Sequence, residues 1–165
     1  MGISSDGQIC YGIAFDEDYQ FPWLEERNTD NGIWKDHEDW WLFGVCGYKP
    51  PFELYEENGA YLNNIEPSKE QKQEYHQHHC DFRSKHPMPV EILMHCSYSY
   101  PMYIIAAIGT LKSNCRGFVT EIKPLEITIV QHNAVVNFCE EYCQPTDGSV
   151  FPKMKPAWLL SSIMG

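Results

Sequence analysis

Short segments rich in β-branched and aromatic residues recur along this chain between clusters of turn-forming residues, and this pattern limits what the chain can fold into. Runs of about four to eight such residues are typical of β-strands. Such runs lie at residues 8–15, 90–96, 102–108 and 117–122, and a last, shorter one passes through residues 158–160. The connections are short, which predicts antiparallel neighbours, with Lys112, Ser113 and Asn114 forming one of the turns.

Two further segments have the spacing of α-helices. Ser68 and Gln71 form a capping box at the start of a polar run that has no Gly or Pro before Pro87. This helix over residues 68–85 has a thin inward stripe, which consists of Tyr75, His79, Phe82 and His86. A second helix is predicted by residues at i, i+3, i+4 and i+7, which are Val135, Phe138, Cys139 and Tyr142. Before it, Leu125, Ile127 and Ile129 alternate with polar residues, which favours an edge strand or the beginning of that helix.

The N-terminal part contains a loop and a short helix. Phe21 and Trp23 stand among turn-forming residues, so we expect them to anchor a loop. Asp36 is suited to cap a short helix that Gly44 and Gly47 end.

Strands and helices do not alternate one for one, and this order favours an α+β fold over a doubly wound sheet. The sequence predicts an α+β fold in which two main helices pack on an antiparallel sheet of four to five strands. Its 165 residues suit one domain, residues 1–165, with an acidic, aromatic-rich first third, residues 1–66, and a charge-balanced remainder, residues 67–165.

Negative charge is concentrated in that first third. The chain has 12 Lys and Arg against 23 Asp and Glu, a net charge of −11. Residues 1–66 contain 14 acidic and 3 basic side chains, and residues 67–165 contain 9 of each. Direct binding to a nucleic-acid backbone is therefore disfavoured, and a basic partner is the better expectation. An acidic face that only promotes solubility is the alternative.

Acidic and aromatic residues alternate in this segment. Carboxylates on a rigid aromatic scaffold can imitate the charge density of a nucleic-acid backbone, and Trp and Tyr are frequent anchors of protein interfaces. The candidate partner-binding residues are Asp16, Glu17, Asp18, Trp23, Glu25, Glu26, Asp36, Glu38, Asp39, Glu53, Glu56 and Glu57. For most of the aromatic residues individually, packing in the core is the simpler role.

Seven cysteines are present, but the N-terminal residues lack the basic and apolar regions of a secretory signal. Free thiols in a reducing cytoplasm are therefore expected. The longest apolar run is residues 103–108, far below the roughly 20 residues of a membrane-spanning helix, so no membrane association is expected. Cys139 and Cys143 are expected to pack in the core as small apolar residues.

One cluster has metal-ligand character. His76, His79 and Cys80 share a helical face, and Cys96, His95 or His86 could supply a fourth ligand. A polar surface helix explains the same residues without a metal. No cofactor motif and no catalytic constellation is present, so neither a cofactor nor catalytic residues are predicted.

Several segments resemble a set of small, mostly uncharacterised proteins encoded by bacteriophages and prophages. They are GISSDGQICYGIAF, FPW, EDWW, GYKPPFELY, PVEIL, YPMYIIA and WLLSS. The resemblance implies an accessory protein made in the cytoplasm of a bacterial host. Many small acidic phage proteins inhibit host defence, as anti-CRISPR or anti-restriction proteins do. This favours a non-enzymatic inhibitor that binds a host defence protein with a basic nucleic-acid-binding surface, with DNA mimicry as one form of the mechanism.

Two other functions stay open at this stage. One is a small zinc- or thiol-dependent enzyme that uses the cluster between His76 and Cys80. The other is a structural or assembly protein of a phage, for which self-association, as in a dimer, would be the sign.

Overall fold

The computed structural model describes residues 5–16, 19, 21, 37–52, 66–97, 100–114, 124–144 and 155–164. The chain divides into two compact units, of which one comprises Met1–Pro22 with Pro89–Gly165 and the other Trp23–Met88. We call them the sheet unit and the helical unit. The predicted single domain, residues 1–165, requires that the two units fold together. This stays a prediction.

The described strands all lie in the sheet unit. They are β1 (Ser5–Phe15), β2 (Val90–Ser97), β3 (Tyr100–Ala107), β4 (Lys112–Asn114) and β5 (Ala157–Met164). Four of the predicted strands are confirmed, and residues 117–122 lie outside the described residues.

The described helices are three. They are α1 (His37–Asp39), which continues as a π-helical segment (Trp40–Val45), α2 (Lys69–Lys85) and α3 (Ile129–Tyr142). Together with the five-stranded sheet they confirm the predicted α+β class.

The sheet has the strand order β3-β2-β5-β1-β4, and β3 also pairs with β1. All pairings are antiparallel except the contact of β2 with β5, which is parallel and joins Cys96 to Ile163. As a result β1, β3, β2 and β5 pair in a closed cycle. The sheet is therefore strongly curled, and side chains on its inner face are enclosed by strands on several sides.

Helix α3 packs against β1, β2 and β3. Thr128 caps it in a capping box with Gln131, so the helix begins at Ile129. Residues 124–128 have no regular structure, and the edge strand expected there is therefore wrong. The alternative expectation, that this stretch begins the helix, is correct for Ile129 only, because Leu125 and Ile127 precede the Thr128 cap, which accepts a hydrogen bond from the N–H group of Gln131.

The core of the sheet unit has two layers. On the inner face of the curled sheet, Cys10, Ile104 and Ala106 are buried. On the opposite face, Val135 and Phe138 of α3 are buried, as predicted from their spacing. This is why β3 is buried on both faces, since residues 104–107 are each at most 1% exposed.

The strands β3 and β4 run along the same edge of β1 with a bulge between them. Ala106 pairs with Gly12 and Lys112 pairs with Ile9. The five residues 107–111 therefore lie opposite only two residues of β1, Cys10 and Tyr11. Lys112, Ser113 and Asn114, which were expected to form a turn, are therefore the strand β4. The predicted turn is wrong because polar residues are also accepted in a strand when, like Lys112 and Ser113, their side chains are exposed. Their pairing with β1 needs only backbone groups.

Thr110 supplies a side-chain hydrogen-bond acceptor for the backbone N–H of Tyr11 at this bulge. Its hydroxyl oxygen accepts a hydrogen bond from the N–H of Tyr11 at 3.1 Å and donates one to the carbonyl of Ala107 at 2.6 Å. Thr110 is only 4% exposed. The side chain thus replaces the backbone partner that the bulge removes from Tyr11.

We expect Thr110→Val to lower the free energy of unfolding by about 1–3 kcal/mol, because it leaves the buried N–H of Tyr11 without an acceptor while preserving side-chain shape. Thr110→Ser retains the hydroxyl and is expected to lose clearly less. Urea unfolding of the three proteins measures the difference. A larger loss for the Ser variant than for the Val variant would show that the methyl group, which Val keeps and Ser lacks, matters more than the hydrogen bond.

In the helical unit, α1 and its π-helical extension are held by two buried residues, Trp40 and Leu42. The extension passes through Gly44, so the expectation that Gly44 ends the helix is wrong. Gly47 lies just beyond the end with a positive φ of 67°, a conformation that glycine adopts readily. Asp36 lies outside the described residues.

Helix α2 begins with the predicted capping box between Ser68 and Gln71. Tyr75, His79 and Phe82 of the predicted stripe are half-buried, whereas His86 is exposed and stacks on Phe82 with ring centroids 4.1 Å apart. No helix among the described residues is long and apolar enough to span a membrane.

Candidate functional site

Three of the predicted partner-binding residues lie in the described part of the chain. Asp16 is exposed at the end of β1 in the sheet unit, and Glu38 and Asp39 are partly exposed on α1 in the helical unit. The others lie outside the described residues, and they are Glu17, Asp18, Trp23, Glu25, Glu26, Asp36, Glu53, Glu56 and Glu57.

Carboxylates of the first third form ion pairs with basic residues of α2. Arg83 contacts Glu38 at 2.7 Å and Lys72 contacts Glu66 at 2.7 Å. The Lys72 ammonium donates a hydrogen bond to Glu66 and lowers the pKa of that carboxyl. Both pairs are solvent-exposed, so they contribute little stability, but they reduce the negative charge presented at these two positions.

The negative charge is shared between the two compact units, although in the sequence it is concentrated before residue 66. The helical unit has 13 acidic and 7 basic residues, and the sheet unit has 10 acidic and 5 basic residues. Their net charges are therefore −6 and −5. The acidic first third consequently contributes to both units, and each of them is acidic by itself.

The predicted metal ligands are brought together only in part. The imidazole Nε2 of His76 lies 3.5 Å from the Sγ of Cys80, and both side chains are exposed. His79 is half-buried, and its ring contacts Tyr48 edge-on at 5.3 Å. The side chain of Cys96 lies outside the described residues. In the part of the chain that the structure describes, no three His, Cys, Asp or Glu side chains form a metal-binding group.

Tyr48 organises the buried side of α2. Its hydroxyl forms a hydrogen bond with Nδ1 of His78 at 3.2 Å, and its ring contacts Phe82 at 5.0 Å. Burial, followed by the nearby Tyr75 and Cys80, raises the pKa of Tyr48. The phenol is therefore neutral at physiological pH and serves to hold α2.

Buried cysteines of the sheet unit are unsuited to nucleophilic chemistry. A hydrogen bond with Cys139, together with burial, raises the pKa of Cys143. Burial and the carboxylate of Glu91 raise the pKa of Cys10 to about 11. Since the thiolate is the nucleophile, these thiols stay unreactive. The prediction that Cys139 and Cys143 pack in the core is confirmed, and all five described cysteines are free thiols.

His95 shares the inner face of the sheet with Cys10, according to the strand register. Burial lowers the pKa of His95. Both side chains are thus held in their neutral forms, which is the opposite of the thiolate–imidazolium pair that a thiol enzyme uses.

One polar pair was not anticipated from the sequence. The Tyr11 hydroxyl and Nδ1 of His132 are 2.8 Å apart, and the ring of Trp158 contacts Tyr11 edge-on at 5.4 Å. The spacing of His132 with Val135 and Cys139 could have indicated that it faces the sheet. The pair links α3 to β1 directly.

No family model, no curated protein and no solved structure matches this chain.

Proposed function

We propose that this protein is a non-catalytic inhibitor that binds a basic, nucleic-acid-binding surface of a bacterial host defence protein, such as a CRISPR–Cas or restriction nuclease, and that it acts in the host cytoplasm. The observation that carries the proposal is the excess of 14 acidic over 3 basic residues in the first 66 positions.

Electrostatics explain why such a segment suits a basic channel. A protein that binds nucleic acid aligns Lys and Arg side chains with the phosphates. Carboxylates presented on a folded surface satisfy the same cations, and their field accelerates the encounter of the two proteins. In this mechanism the inhibitor competes with DNA or RNA for the channel.

In each unit the described structure holds acidic residues on a packed backbone, which supports the proposal. Glu38 and Asp39 precede the buried anchors Trp40 and Leu42, so the backbone that carries them is fixed by packing. Asp16 follows directly after β1, next to the buried Phe15. Carboxylates on such supports lose little conformational entropy when they bind.

We expect the combined variant Asp16→Lys, Glu25→Lys, Glu26→Lys to lose binding to its partner by at least about 100-fold, which corresponds to about 1 kcal/mol for each reversed charge. Glu38 and Asp39 are left unchanged, because Glu38 is paired with Arg83. The measurement is recovery of bound proteins from a bacterial lysate on the immobilised variant, followed by the dissociation constant of the recovered partner.

The matched control reverses three exposed carboxylates from the remainder of the chain, Glu126, Glu140 and Glu141. Each triple variant changes the net charge from −11 to −5, so the comparison separates position from total charge. Binding to the unaltered protein should weaken with salt and be displaced by duplex DNA. Equal binding by both triple variants, or a partner that neither duplex DNA nor RNA displaces, would contradict the proposal.

A further inference from the structure

His76 and Cys80, whose side chains are of the kinds that bind zinc, contact each other on the exposed side of α2. They are four residues apart, so they are neighbours on successive turns of the helix. Their ligand atoms, Nε2 and Sγ, are 3.5 Å apart. Helix α2 has 17 residues and a complete capping box, which holds the two side chains on a regular backbone.

This separation is compatible with tetrahedral coordination. With Zn–S and Zn–N bonds of about 2.3 and 2.05 Å, two ligands of a tetrahedral zinc ion are about 3.6 Å apart. A linear arrangement with the same bonds would need about 4.3 Å. The observed 3.5 Å therefore matches two corners of a tetrahedron without movement of the helix.

Tetrahedral zinc needs two more ligands, and the described residues of one chain offer no third one at this position. A second copy related by a twofold axis supplies the same pair again. The resulting His₂Cys₂ set is a common structural zinc site, and its two thiolates neutralise the charge of the ion.

The distribution of charge on α2 allows two copies to approach on this side. At about 100° per residue, Lys69, Gln73, His76 and Ser84 lie within about 40° of Cys80 around the helix axis. All four are exposed. The helix carboxylates, which are Glu70, Glu74 and Asp81, lie about 80–120° away on one flank. Helix α2 thus contributes no carboxylate of its own within about 40° of Cys80.

We propose that two copies of this chain bind one zinc ion through His76 and Cys80 of each copy. Binding displaces one proton from each thiol, so two protons are released for each zinc ion, and both sulfurs become ligands. The site joins two copies and has no open position for substrate, so its role is assembly and not catalysis.

The test titrates zinc into the metal-free full-length protein, purified without a histidine tag, and follows mass by light scattering after size-exclusion chromatography. The expected result is conversion of monomer to dimer that is complete at half an equivalent of zinc per chain. Cobalt in place of zinc should give the intense visible bands of a tetrahedral site and a sulfur charge-transfer band for two thiolates.

Variants assign the ligands. Cys80→Ser and His76→Gln are each expected to abolish the metal-dependent dimer, and because both residues are exposed, both variants should keep the circular dichroism spectrum of the parent. His78→Gln on the same helix and Cys46→Ser are the controls, and both should still dimerise. A monomer that binds a full equivalent of zinc, a dimer that persists without Cys80, or no binding of zinc would each overturn the proposal.

Discussion

Replacement of Gly12 by Ala is expected to lower the free energy of unfolding by about 3 kcal/mol, the upper part of the usual range for overpacking. A Cβ atom at this position would lie 2.3 Å from the carbonyl oxygen of Ile105 and 2.9 Å from Cα of Ala106. Both are backbone atoms of β3, which is buried on both faces, so neither can move aside at low cost. Thermal unfolding should show a decrease of roughly 6–12 °C for a chain of this size.

Gly7→Ala is the matched control for this change. Gly7 lies on the same strand, and a Cβ built there meets no atom within 4 Å. The control variant should therefore unfold within about 0.5 kcal/mol of the parent. If Gly12→Ala were as stable as Gly7→Ala, the close approach of β1 to β3 would be contradicted.

The sequence predicts local structure well where neighbouring residues determine it. The capping box of Ser68 and Gln71 places the beginning of α2 correctly, and the spacing of Val135, Phe138 and Cys139 identifies the buried side of α3. In each case the interacting groups are at most four residues apart. The contact of His76 with Cys80 belongs to the same class, since it follows from helical periodicity alone.

Contacts between residues far apart in the sequence cannot be predicted from local patterns. β5 pairs with β1 along Gly12↔Ala157 to Ser5↔Met164, and no local pattern specifies a partner more than 140 residues away. The role of Thr110 depends on a bulge that exists only once β3 and β4 share an edge of β1. Gly12 is likewise required by a neighbour from another part of the chain.

The candidate acidic surface also combines a feature that the sequence shows with one that it does not. The charge excess of the first third is a property of composition and needs no structure. The pairing of Glu38 with Arg83 spans 45 positions and could not be foreseen, although it changes the charge that α1 presents. A reversal at Glu38 would therefore break a structural contact as well as alter the surface, which is why Asp16 is the better probe.

Phe21→Ala is expected to lower the free energy of unfolding by about 3–4 kcal/mol, as deletion of a large buried ring usually does. Phe21 is 1% exposed, and its ring contacts Phe15 at 4.9 Å and Tyr103 at 5.4 Å, both nearly edge-on. Phe21 is buried, as its predicted anchoring role requires, whereas Trp23 and the loop that follows lie outside the described residues. Leu160→Ala is the control, because Leu160 is 80% exposed and its truncation should cost less than about 0.5 kcal/mol.

Calorimetry of Phe21→Ala also tests the predicted single domain. Phe21 belongs to the sheet unit, one position before its boundary at Pro22. If both units unfold together, the variant should show one transition at a lower temperature, with equal calorimetric and van't Hoff enthalpies. Two transitions, of which only one is shifted, would show that Trp23–Met88 unfolds independently. An unchanged transition would contradict the burial of the Phe21 ring, since removal of its contacts cannot leave a packed core equally stable.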